Sequence, residues 1–309
     1  MTIGIAAYGP RAGQAILEGL RAAERLGRGA IGGFVSFAAI GEDGLLHRAE
    51  TQRDGTRGLF GGEPLPAQLA RARHAVLMSS GPDRPAPLAQ FTPGDPLVGL
   101  VTGHRLPNTP GAAGIALNEE VLRRMREGSS ASEAVEGVTR DNPTVDGGLI
   151  ALALDGQIHA RDTAYVERFP DRGGIVLGSR EKGGVVAVLH NAIRPYRSLA
   201  LLVAETALDT IVPEDAPDGM VGLAAGMPIE SGPENAIRVD AAFTVQSLTL
   251  SDPKYLSGRW SMGLGPMASI VMDDTVVGHV LYEPYLVIEA GRLETMDGAA
   301  RMEIPFRYG

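Results

Sequence analysis

The chain has 309 residues, 44% hydrophobic and 21% charged, with a net charge of −9. Such a chain can bury a sizeable core, and its acidity disfavours nucleic acid and anionic membranes, leaving a small molecule as the expected partner. The lack of cysteine excludes disulfides, thiolate nucleophiles and cysteine-based metal sites, and no apolar run reaches the ~18 residues of a membrane span.

Thr2 stands directly behind Met1 and opens the first expected strand, Thr2 to Ala7. A second residue this small ordinarily lets the initiator methionine be removed, leaving a threonine with a free α-amine. That amine titrates near pH ~8 and can act as base for its own hydroxyl, which is otherwise a poor nucleophile. Gly9-Pro10 then turns the chain into a helix over 11–27, with Ala12, Ala15, Ile16, Leu20, Ala23 and Leu26 on one face. A strand over 31–40, the turn Gly41-Glu42-Asp43-Gly44 and a strand over 45–51 read as a hairpin. Ser36 lies mid-strand and would face the Thr2 hydroxyl if the two strands were neighbours. Arg53, at the end of the hairpin with Arg48, is a candidate ligand contact on what otherwise reads as a solvated strand end. A glycine-rich loop over 54–63, a helix over 66–78 and a proline-rich linker over 79–95 follow.

The strand over 97–102 feeds the densest polar cluster, His104, Arg105 and Asn108. An asparagine amide or a backbone N–H here could stabilise an oxyanion, and Arg105 could pair with a substrate carboxylate. Asn108 reads equally as an Asx-turn before Pro110. A helix over 117–127 is followed by a second that Ser130 and Glu133 announce as a capping box. Asp141-Asn142-Pro143-Thr144 leads into a second hairpin, 149–154 and 157–161. Thr144 is a rival nucleophile only if the Pro143–Thr144 bond were cut, and Asp146 could orient either threonine. From 174 the pattern becomes strand-heavy, with one helix at 196–209. The histidines show no metal-ligand spacing and no glycine run fits a phosphate loop, so no metal and no cofactor is expected. With no basic and apolar leader at the start, a cytoplasmic location is expected.

The opening Thr2-Ile3-Gly4-Ile5 resembles the N-terminal nucleophile (Ntn) hydrolases, in which the first hydroxyl or thiol attacks an amide carbonyl. Between residues 99 and 163 stand Thr102-Gly103-His104-Arg105, Pro107-Asn108-Thr109-Pro110-Gly111, Ala131-Ser132-Glu133-Ala134-Val135 and the hairpin Gly147 to Gly156. This stretch resembles the uncharacterised bacterial DUF1028 group, which has an Ntn-hydrolase-like fold. The hairpin is also similar to one in glycosylasparaginase-type and γ-glutamyltranspeptidase-type enzymes. The resemblance covers residues 1–165. It departs in two respects: a helix is inserted over 11–27, and the first lysine is Lys182, whereas many threonine-type Ntn enzymes keep a lysine beside the nucleophile.

The resemblance implies an α+β protein, an αββα sandwich with residues 1–170 as the Ntn-hydrolase-like core. Residues 171–309 form a strand-rich C-terminal portion that could complete the same domain. It further implies hydrolysis of a small-molecule amide or lactam, with Thr2 as nucleophile and Ser36, His104 and Asn108 around it. Arg53, Arg105 and Asp146 would contact substrate. The alternative is a non-catalytic small-molecule-binding or assembly protein that retains the fold; in either case a homo-oligomer is expected.

Overall fold

The computed structural model describes residues 1–61, 63–213 and 216–309. The chain forms two compact units, Met1–Pro213 and Glu214–Gly309. Strands of the first unit are β1 (Thr2–Tyr8), β2 (Val35–Ile40), β3 (Leu46–Thr51), β4 (His74–Ser80), β5 (Gly94–Asp95), β6 (Gly99–Arg105), β7 (Gly147–Ala153), β8 (Ile158–Asp162), β9 (Arg172–Ser179) and β10 (Gly184–Asn191). Its helices are α1 (Ala12–Leu26), the single turns α2 (Gly55–Gly58) and α3 (Ala67–Ala70), α4 (Leu117–Arg126), α5 (Ala131–Asp141), the short α6 (Ala164–Glu167) and α7 (Tyr196–Ile211).

Two antiparallel sheets result, with strand orders β3-β2-β4-β1-β10-β9 and β5-β6-β7-β8. Side chains alternate across a strand, so β1, β2, β4 and β10 of the first sheet each serve two cores. Ile3, Ile5, Phe37, Leu77, Val186 and Val188 face α1 and α7, while Ala6, Ala38, Val76, Ala187 and Leu189 pack against Leu100, Ile150 and Leu152 of the second sheet. On the far side of that sheet, Val101, Leu149 and Ala151 are covered by α4 and α5. Strands covered on both faces become continuous apolar runs, which explains the sequences of β1 and β10.

The expected hairpins are present as β2–β3 and β7–β8, and the Ser130–Glu133 capping box starts α5. Three expectations are corrected. Residues 66–78 hold only the single turn α3 and then most of β4, because Ala75-Val76-Leu77-Met78 is buried on both faces. Strand β2 does not lie beside β1, since β4 runs between them. The compact boundary falls after Pro213 rather than after residue 170, because β9, β10 and α7 complete the first sheet and its helical cover. The second unit is a seven-stranded and a three-stranded sheet around its own core, including Ile237, Leu248, Ile270, Ile288 and Ile304.

The two sheets of the first unit come close together beside the N-terminus. A Cβ on Gly4 of β1 would collide with the carbonyl oxygen of Gly103 on β6. A glycine at position 4 lets these backbones come together, and this brings the end of β6 onto the start of β1.

Candidate active site at the head of the central strand

Register places four side chains in one transverse row of the first sheet. Thr2 pairs with Ser80 of β4 and with Asn191 of β10, and Asn191 pairs with Arg172 of β9. Alternation from Ala6 through Gly4 puts Thr2 on the face turned to the second sheet, where it is 2% exposed. Its hydroxyl donates to Asn191 Oδ1 at 2.9 Å and accepts the backbone N–H of Arg105. Its own backbone N–H reaches the same Asn191 oxygen at 3.2 Å. One oxygen thus holds both the nitrogen and the hydroxyl of Thr2.

Met1 sits over this arrangement. Its carbonyl oxygen accepts the Ser80 hydroxyl, which in turn accepts Arg84 Nη2 at 2.7 Å. Its sulfur accepts the Ala30 N–H at 3.2 Å. Burial, then the guanidiniums of Arg84 and Arg105, hold the Met1 α-amine below its ordinary value, with Asp171 and Asp146 opposing. While Met1 is attached, the Thr2 nitrogen is an amide and has no basicity. Without Met1, that nitrogen becomes an α-amine on the Asn191 oxygen that also accepts the Thr2 hydroxyl.

Arg105 ends β6 in the left-handed region, at φ 64°, and Ala192, next after Asn191, has φ 54°. Such backbone costs a non-glycine residue ~1–2 kcal/mol and concentrates where function holds it. The Arg105 guanidinium pairs with Asp146, Nη2 to Oδ2 at 3.2 Å, and lies 4.8 Å over the Phe169 ring.

His104 is fully buried, with Nε2 2.6 Å from Asp162 Oδ1, and Arg172 Nη1 is 3.2 Å from Asp162 Oδ2. Burial opposes ionisation of Asp162, but the His104 and Arg172 bonds outweigh it and hold its carboxyl below the usual carboxylate range. An ionised carboxylate only accepts, so His104 Nε2 carries the proton. His104 Nδ1 is buried with no partner among the described residues. His190 pairs with Ile3 and so faces the helices, its Nε2 2.9 Å from the Tyr196 carbonyl oxygen. Burial first, then nearby His104, lowers its pKa to about 4.

The sequence-predicted residues therefore separate into two groups. Thr2, Arg105 and Asp146 come together, whereas His104, next to Arg105 in the chain, turns its side chain to Asp162. Ser36 does not reach Thr2: it faces the second sheet in the row of Met78 and Gly4, and its hydroxyl bonds Thr92 Oγ1 at 2.8 Å. Asn108 is committed to Gln90 Oε1 at 2.8 Å, and Arg53 to Asp83 in solvent at 2.9 Å. Thr144 is exposed in the turn before β7. An open polar cleft of about 460 Å³ lined by Arg21, Glu24, Arg25, Asp54, Thr56 and Arg57 lies elsewhere. There Glu24 accepts the backbone N–H of Thr56 at 2.9 Å and its hydroxyl at 2.6 Å.

Sequence reasoning missed Ser80, Arg84, Asp171 and Asn191. The one available signal was the polar end His190-Asn191 of an otherwise apolar strand, but its partner Thr2 lies 189 residues away. Among the described residues no group of three His, Asp or Glu side chains gathers as a metal site, and no helix is long and apolar enough to cross a membrane.

Fold and site define an α+β protein with a buried, doubly held threonine at the head of its central strand. The chain belongs to the family described as Domain of unknown function (DUF6963), whose model matches residues 2–220. A second model, Domain of unknown function (DUF7259), matches residues 226–301. The two matches divide the chain close to the boundary between its compact units. No curated protein matches the sequence.

Proposed function

We propose that the first unit is an Ntn-hydrolase-like αββα sandwich that hydrolyses a small-molecule amide or lactam with Thr2 as nucleophile. The observation that carries this reading is the grip on Thr2: its hydroxyl lies between Asn191 Oδ1 and the Arg105 N–H, and its nitrogen lies on the same Asn191 oxygen. After loss of Met1, the α-amine takes the hydroxyl proton as Oγ1 attacks the carbonyl carbon. The Ser80 hydroxyl, polarised by Arg84, already holds a carbonyl oxygen in the Met1 peptide and would hold the developing oxyanion. The C–N bond then breaks, the leaving amine takes the proton from the α-ammonium, and water hydrolyses the threonyl ester. His104 and Asp162 stiffen the end of β6 beneath Arg105 rather than touching substrate.

The rival reading, a non-catalytic binding or assembly protein, is favoured by one observation: Met1 is itself anchored, by its carbonyl on Ser80 and its sulfur on the Ala30 N–H. The Thr2→Ala variant separates the two. Amide turnover should fall at least about 10³-fold, and stability by only about 1–2 kcal/mol for the lost hydrogen bonds. Undiminished turnover removes Thr2 from the chemistry, and a loss of folding equal to the loss of activity makes it structural.

A further inference from the structure

We propose that the space occupied by Met1 is the acyl subsite of the Thr2 centre, and that it takes an amide whose acyl part ends in a carboxylate, held by Arg84. The reaction part of this inference rests on the Thr2 reading, whereas the binding part stands on Arg84 itself. The Met1 carbonyl is lodged on the Ser80 hydroxyl, so a hydrogen-bond donor for an acyl carbonyl already stands beside Thr2. Arg84 Nη2 stands one hydrogen bond behind that carbonyl.

Arg84 differs from the other arginines around the site. Arg105 pairs with Asp146 and Arg172 with Asp162. Arg84 is half-buried, its guanidinium lies 5.8 Å over the Phe34 ring, and Nη2 bonds the Ser80 hydroxyl, but no carboxylate pairs with it among the described residues. A guanidinium has five N–H donors in a planar fork matched to a carboxylate, and leaving it partly desolvated without an anion is unfavourable. The present occupant makes this worse, since the Met1 ammonium lies in the field of Arg84 and Arg105. Exchange of Met1 for an anionic acyl group would replace a like-charge encounter with an ion pair. The reaction balances as a dicarboxylic acid monoamide plus water giving the dicarboxylic acid and the free amine.

Succinate and glutarate stand in for the acid product, and butyrate is the control that lacks the second carboxylate. Their binding is measured by titration calorimetry on protein with Thr2 as its first residue. At least one dicarboxylate should bind ten-fold or more tightly than butyrate. Arg84→Gln should abolish that preference, and Arg84→Lys, which keeps the charge but loses the fork, should retain part of it. The lysine variant also guards against a fold lost with the Phe34 contact. No preference in the unmodified protein, or a preference unchanged in Arg84→Gln, overturns the subsite. Thr2→Ala should still bind the dicarboxylate; if it does so and amide turnover also survives, the nucleophile is wrong while the subsite stands.

Discussion

At Thr2 the hydroxyl and the backbone N–H share one acceptor, Asn191 Oδ1, and neither that residue nor Ser80 or Arg84 is near it in sequence. Thr2 could be singled out from the sequence because the chemistry proposed for it depends only on its place behind Met1. Its partners could not be: Asn191, for one, reaches it through a strand register across 189 residues, and nothing local encodes such a register. The same physics misdirected Ser36, whose strand period was right but whose row was set by the intervening β4. His190 yields a pH prediction at this scale. Its folded pKa is about 4 against ~6.5 unfolded, so the unfolded chain takes up the proton first as pH falls. This contribution is complete above pH ~6.5 and is lost as pH falls toward 4, by on the order of 3 kcal/mol. Denaturant unfolding across that window should show the slope in the wild type and a weaker one in His190→Gln; equal slopes would assign the acid sensitivity to other groups.

Among the elements, hairpins and one-sided helices were readable from period and turn residues. The segment over 66–78 was not, because a short apolar run buried on both faces carries no period that tells strand from helix. That segment became β4, the strand that supplies Ser80 and separates β1 from β2. The crossing of β1 over β6 beside the site depends on Gly4, which lies against the Gly103 carbonyl. Gly4→Ala places a methyl against a backbone carbonyl that cannot rotate away. It should destabilise the first unit by about 1–3 kcal/mol and pull the Arg105 N–H off Thr2. Unfolding midpoints and amide turnover should therefore both drop; a neutral Gly4→Ala would mean that the sheets are not held at this distance.

For the molecule as a whole, the sequence divides into strand-rich and mixed parts, but the division at 170 proved too early. Register, not composition, assigns β9, β10 and α7 to the first unit. The cores of that unit draw on residues up to Ile211, and the core of the second begins at Val221. Residues 1–213 produced alone should therefore unfold cooperatively and keep the Thr2 chemistry; aggregation of that fragment would show that the first unit needs the second. The central claim is most directly tested by intact and peptide mass spectrometry of protein made from its own start codon and treated with a small β-lactone. The account predicts that Met1 is absent and that the β-lactone adds to Thr2 alone, with no adduct in Thr2→Ala. Met1 retained in protein that turns over amides, or an adduct unaffected by Thr2→Ala, would contradict it.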